Sequence, residues 1–393
     1  GFIINKCVLL QNINHKKLNE MKKINLIKGI VLSGVLIMSS CSTEDPQPAC
    51  EVNAPENYVY EVDGSTTVSY GGQTARLNMA AEILSEISDV SGNADLSNLN
   101  DMYANGQGFS DQSLNESGKQ LRSKTAGYQS ATNKAHIQAS FDGWLVDFAN
   151  NVSPAINNQT QAAPGQAGLI LNRELNAKGL EIDQCFAKGL IGALCLDQTV
   201  NGYLSDAKIG NTVNNTDREP NDDNNATAME HHWDEGYGYV YGKFGPDNIN
   251  GDLSSDGLLG KYLNKYADHA LTVFNAFKMG RQAIVDGCYD ERDRQAQIIK
   301  ETLSKVVALK AEGYLREAAD ATDQSADYFH ALSEGYGFIF SLQFTYTEDG
   351  VPYFTHEEVN AMLSQLEAGN GLWDRTDAEL IQMADDINAV TGL

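Results

Sequence analysis

Proline is scarce: there are 8 in 393 residues, none of them between Pro246 and Pro352, so no pyrrolidine ring obliges a helix to break over that stretch. Cations are scarce too. The chain carries 28 Lys and Arg against 53 Asp and Glu, a formal charge of −25, which excludes a sequence-independent grip on a phosphate backbone and with it nucleic acid as a partner. Long apolar runs are missing: the clearest, Gly29 to Met38, is about half the roughly 20 residues that span a bilayer. The six cysteines form no CxxC or CxxC…H arrangement, which argues against a thiolate zinc site. GxSxG, HExxH and a GK(S/T) phosphate loop are all absent, so neither a hydrolase nor a nucleotide cradle shows its usual machinery.

What is present begins with an export signal. Lys22, Lys23 and Lys28 precede the apolar run, and Ser39 and Ser40 stand before Cys41. This resembles the lipobox of a bacterial lipoprotein, with Cys41 as the lipidated mature N-terminus. Residues 21–40 are thus read as signal peptide, and residues 1–20, ahead of Met21, as a spurious upstream extension. Removing the six lysines and one acid of residues 1–40 leaves 22 basic and 52 acidic residues, a net −30. Glu44 and Asp45 beside the anchor resemble an acidic signal for export to the outer leaflet. Residues 41–57, polar with three prolines, suit a flexible tether.

Four cysteines remain in an oxidising compartment: Cys50, Cys185, Cys195 and Cys288. Three connectivities are open. Cys185 and Cys195 fall ten apart on one predicted helix, about 15 Å at the helical rise, beyond the reach of a disulfide. Each pairs elsewhere or stays a buried thiol.

Beyond the tether, Tyr58, Tyr60 and Val62 alternate with polar residues, as in a short strand. The period then becomes helical. Leu77, Ala80, Ala81, Leu84 and Ile87 step at three and four, as do Ile137, Phe141, Trp144, Leu145 and Phe148. Further helices are predicted at about 178–204, 258–285, 291–318, 323–345, 355–367 and 376–390, with Thr355 and Glu358 as a capping box. The fold class is mainly α.

Two stretches share a pattern: HHWDEGYGY from His231 and HALSEGYGF from His330 both fit HxxxEGYG followed by an aromatic residue. Gly202-Tyr203-Leu204 stands 29 residues upstream of the first and Gly313-Tyr314-Leu315 stands 17 upstream of the second, a surplus that the Asn/Asp-rich stretch Asn214 to Asn225 absorbs. We read residues 58–393 as duplicated helical-bundle units, at about 178–245 and 291–345.

On a helix, i and i+4 side chains share one face about 5–6 Å apart at Cβ. His231 with Glu235 and His330 with Glu334 are therefore predicted to converge, and an imidazole with a carboxylate suits a divalent metal such as iron or zinc. If both pairs face each other across a pseudo-twofold axis, they supply four ligands in the manner of bundle-core sites. The rival reading makes them hydrogen-bonded pairs that hold the bundle together. His232, Glu230 and Asp234 have no like counterparts in the second stretch and are weaker candidates. Tyr237 and Tyr336 are secondary ligand contacts, more often core at such spacing. Asp247, Asn248, Asn250 and Asp252 make an oxygen-rich turn without EF-hand spacing.

Tyr70, Gly72-Gln73-Thr74, Arg76-Leu77, Phe141-Asp142-Gly143-Trp144, Ala163-Pro164-Gly165-Gln166-Ala167-Gly168, Gly280-Arg281-Gln282-Ala283-Ile284 and the two histidine blocks carry a resemblance. Over roughly residues 55–393 the chain resembles the Bacteroidota lipoproteins called domain of unknown function 4856. That family is similar in general character to imelysin-like proteins, which implies a lipid-anchored helical protein with an internal pseudo-repeat beside iron-uptake machinery. Imelysin-like proteins have GxHxxE where this chain has HxxxE twice, so their metal ligands and peptidase label do not carry over.

The expected function is therefore a lipoprotein of the outer membrane or cell surface that binds iron or an iron complex as an accessory to an outer-membrane uptake receptor. The alternatives are a cell-surface recognition or structural protein whose His/Glu pairs are purely structural, and a metallohydrolase, for which no catalytic residue is assigned. Replacing Cys41 by Ala is expected to move the protein from the membrane to the soluble fraction on cell fractionation; retention in the membrane contradicts the anchor.

Overall fold

The computed structural model describes residues 50–91, 93–218 and 225–393. The expected upstream extension and signal peptide, Cys41 and most of the expected tether lie outside the described residues. From Cys50 onward the chain is one compact, mainly helical unit.

The segment after Cys50 packs before it turns helical. Tyr58 and Tyr60 are buried. The alternation around them yields only a two-residue hairpin, β1 (Glu61–Val62) on β2 (Ser65–Thr66). Asp63 and Gly64, both at positive φ (54° and 78°), form its turn, the pairing that a tight hairpin favours. The polar partners of the alternation then run onto a helix instead of a wider sheet.

Among the described residues there are nine longer α-helices, five of them ahead of Cys288. They are α1 (Gly71–Glu86), α2 (Ala131–Asp147), α3 (Ile182–Leu190), α4 (Ala228–Tyr241) and α5 (Ala267–Asp286). The rest are α6 (Tyr289–Asp320), α7 (Ala326–Ser341), α8 (His356–Glu367) and α9 (Asp377–Thr391). A small antiparallel hairpin, β3 (Gly168–Ile170) with β4 (Arg173–Leu175), precedes α3. Helix α3 runs without a break into a π-helical stretch, Ile191–Tyr203, and nearly every residue of the pair is buried. A helix enclosed on all sides belongs at the centre of a fold. Around it α4 packs on the π-helical stretch and α7 on α3, while the 32-residue α6 backs α5, α7 and α9.

Several predicted boundaries hold. The Thr355/Glu358 capping box is present, and Thr227/Glu230 and Thr376/Glu379 form two more. The region 258–285 is not one helix: a short turn, Leu259–Leu263, is followed by a break, and α5 starts at Ala267. Hydrophobic period is continuous through the break, so nothing in the pattern marks it. The oxygen-rich turn is tied up internally: the Asn248 amide donates to the carbonyls of Tyr241 and Asp252, and its carbonyl oxygen accepts the Asp252 amide.

Cys50 and Cys288 form a disulfide with Cα atoms 5.8 Å apart, closing a separation of 238 residues. Cys185 and Cys195 are buried free thiols. The bridge clips the end of the tether to the junction of α5 and α6. By restricting the unfolded chain, a loop of this length contributes roughly 2–5 kcal/mol. Alkylation of denatured, unreduced protein is expected to label Cys185 and Cys195 and to spare Cys50 and Cys288, and Cys288→Ser is expected to lower stability by roughly that amount in denaturant unfolding. Labelling of all four contradicts the bridge.

Candidate functional site

Both histidine blocks lie on helices, and both make the same two crossings. In α4 a Cβ built on Gly236 would sit 3.5 Å from Cβ of Tyr203, and one on Gly238 would sit 2.5 Å from Cβ of Tyr70. In α7 a Cβ on Gly335 would sit 3.3 Å from Cβ of Tyr314, and one on Gly337 would sit 2.5 Å from Cβ of Lys188. The first glycine of each EGYG thus meets the Gly-Tyr-Leu upstream of its own block. The second lets a helix cross closely, α1 under α4 and α3 under α7.

The glutamates read these crossings chemically. Glu235 accepts hydrogen bonds from Nε2 of Gln73 on α1 and from the Tyr203 hydroxyl, each at 3.1 Å. Glu334 accepts from the Tyr262 hydroxyl at 2.9 Å and pairs with the Lys188 ammonium at 2.8 Å. Burial pushes the Glu334 carboxyl up, but the Lys188 charge and hydrogen bonds from Lys188 and Tyr314 outweigh it and bring it down to about 2. In both pairs the histidine Nε2 lies 3.9 Å from the glutamate Oε2.

The pairs differ in their surroundings. His330 is held on its other side, Nδ1 at 2.5 Å from Oε2 of Glu181, and Glu181 also faces Arg173 at 3.6 Å. Glu334 is 7% exposed and the His330 side chain 27%, so the carboxylate of this pair is buried and its imidazole half-buried. The His231 and Glu235 side chains are 40% and 20% exposed, and both line a surface cleft of 690 Å³. The neighbours named for the two pairs are different residues throughout, and among the described residues no group of three or more His, Cys, Asp or Glu is placed to hold a metal ion. The structure brings each histidine to its own glutamate and does not gather the four side chains as one ligand set.

The secondary contacts are core. Tyr237 is buried, stacks on Tyr58 with ring centroids 3.7 Å apart, and donates to the carbonyl of Asn248. Tyr336 is buried and donates to Glu367. Glu230 and Asp234 hold the fully buried Arg281 guanidinium, at 3.2 and 3.0 Å, on the face of α4 that also receives Tyr58.

Sequence reasoning missed the cations of the cleft. Its wall includes the start of α1, Arg76, Lys119 and Lys124 as well as Tyr203, His231 and Glu235. Arg76 is only 8% exposed and donates to two carbonyls, Nε to Gln120 and Nη1 to Gly72, both at 3.1 Å. Among the described residues, none of Arg76, Lys119 and Lys124 forms an ion pair. Burial pushes the Lys124 ammonium down, and the neighbouring Arg76, Lys208 and Lys119 charges push it further, against Glu235. The available signal was local: Lys119, Arg122 and Lys124 fall within six residues of an acid-rich chain, and Arg122 turns away to Asp142 at 2.7 Å.

No curated protein and no solved structure matches the chain. Residues 55–393 match the family described as Domain of unknown function (DUF4856), and the chain belongs to that family.

The crossings give a sharp contrast between the paired glycines. Gly238→Ala and Gly337→Ala each force a methyl into a neighbouring Cβ and are expected to destabilise by roughly 1–3 kcal/mol. Gly236→Ala meets ordinary contacts and gains helix propensity, so its unfolding midpoint is expected to stay level or rise; equal losses at all three positions contradict the crossing geometry.

Proposed function

We propose that this DUF4856 member is a binding protein of the cell envelope, tethered through Cys41, and that its ligand sits in the cleft between the start of α1, the 117–124 segment and α4. One observation carries this reading. The two blocks share a His/Glu pair at the same spacing, yet the second is closed by Lys188 and Glu181 while the first lines an open cleft. The second pair, with its carboxylate buried, acts as a helix clamp; the first, more exposed, keeps the same chemistry on the cleft wall, where a ligand can use it.

A second reading is favoured by the exposure of His231 beside Glu235: a divalent metal, iron or zinc, held by these two side chains and completed by its own ligands or by water. This is the iron-binding accessory role with its protein ligands on one helix instead of two. His330 and Glu334 then stabilise the bundle in either case.

Ala75 lines the same cleft, and a tryptophan there fills it. Native mass spectrometry of protein extracted from envelopes is expected to find a small-molecule adduct on the wild type and none on a folded Ala75→Trp variant. For the metal reading, calorimetric titration of metal-stripped protein with iron(II) and zinc(II) is expected to show binding that His231→Ala abolishes and His330→Ala leaves intact. An adduct that Ala75→Trp retains, or metal binding that survives His231→Ala, puts the site elsewhere.

A further inference from the structure

The charge of the cleft wall runs opposite to that of the protein. Among the described residues that line it, Arg76, Lys119 and Lys124 stand with one acid, Glu235, a balance of about +2 with histidine counted neutral, in a chain of net −25. An acidic surface repels anions, so a local patch of the other sign has a specific effect only within the cleft, where its field is focused by low-dielectric walls. Arg76 sharpens the point. A guanidinium nine-tenths removed from water is costly unless compensated, and its carbonyl partners carry no net charge. Arg281, fully buried in the same domain, has two carboxylates. The first turn of α1 adds to the same sign: its N-cap, Tyr70, makes no side-chain cap, the turn contains no acid, and the helix N-terminus opens at Gly71 and Gly72 on the cleft wall.

We propose that the cleft binds a small polyhydroxylated solute bearing a carboxylate or phosphate, the oxyanion held by Arg76, Lys119 and Lys124 and a hydroxyl donated to Glu235. This rests on the cleft being the ligand seat and adds the ligand's chemistry. The guanidinium supplies a planar set of N–H donors suited to two oxygens at once, and the lysines supply mobile point charges. Glu235 selects in the other direction. It is acceptor-only when ionised, and with one oxygen engaged by Gln73 and Tyr203 it favours a ligand carrying its own donor. A simple inorganic anion satisfies the cations and leaves Glu235 unserved. The polar lining at Thr66 and Ser69 suits hydroxyls better than an apolar tail. Charge complementarity places a dianionic phosphate monoester ahead of a monoanionic carboxylate.

Calorimetric titration of the mature chain with glucose 6-phosphate, glucuronate and glucose separates the cases. The expected result is saturable binding of the first two, tighter for the phosphate, with glucose failing to bind. Affinity is expected to fall at least about tenfold in Lys119→Gln/Lys124→Gln and to weaken as salt rises from about 50 to about 300 mM. Arg76→Lys, which keeps the charge and loses the planar fork, is expected to weaken binding with the fold intact by circular dichroism. Binding of glucose that Ala75→Trp expels overturns the anion assignment and leaves the cleft as the seat. Failure of both anions to bind, or anion binding indifferent to the two lysine changes, overturns the assignment as well. Binding that Ala75→Trp does not touch overturns the seat itself.

Discussion

The buried guanidinium of Arg281 is the contact on which the rest of this domain depends. It is fully out of water, and an isolated charge there is untenable. Its compensation is drawn from three separate stretches: Asp234 and Glu230 on α4, Thr67 after the first hairpin, and the Tyr60 ring at 4.7 Å. Tyr58 completes the set by donating to Asp234 at 2.6 Å. Burial raises the Asp234 carboxyl, Arg281 and the Tyr58 hydrogen bond pull it back, and it settles at about 6. Because one face of α4 is committed to this network, its roll is fixed. His231 and Glu235, on another face, are then presented to α1 and the cleft.

The contrast between two buried arginines separates structure from function. Arg281 is matched by carboxylates and welds the N-terminal segment to α4 and α5. Arg76 is largely buried, donates to the carbonyls of Gln120 and Gly72, and faces a cleft that Lys119 and Lys124 also line. One buried cation is compensated by carboxylates and the other lies at a cleft open to solution, and the proposed oxyanion site rests on this contrast. The same logic distinguishes the two histidine blocks. Lys188 and Glu181 hold the second, while Glu235 of the first is held by Gln73 and Tyr203 on the wall of the cleft.

The helical class, the capping boxes and the two HxxxEGYG blocks were legible because each is a local pattern: a period of three to four, a Thr three residues before a Glu, a repeated string. The pairing within each block was legible too, since i,i+4 geometry decides it. The partners were not. Gln73, Lys188, Glu181 and Tyr262 come from segments about 70 to 160 residues away, and the close crossings at Gly238 and Gly337 bring in Gln73 and Lys188. For the same reason a shared four-ligand site was a sound inference from spacing, while the direction in which each helix faces belongs to tertiary packing. Lys119 and Lys124 sit in an irregular segment, where no periodicity marks a surface as a site.

The central claim, that the uncompensated cations of the cleft await an oxyanion, is tested most directly by anomalous scattering. Crystals soaked in selenate, a tetrahedral dianion, are predicted to show their strongest selenium peak in the cleft, within hydrogen-bonding reach of the Arg76 guanidinium and a lysine ammonium. A map with selenate bound elsewhere on the protein and none at Arg76 contradicts it.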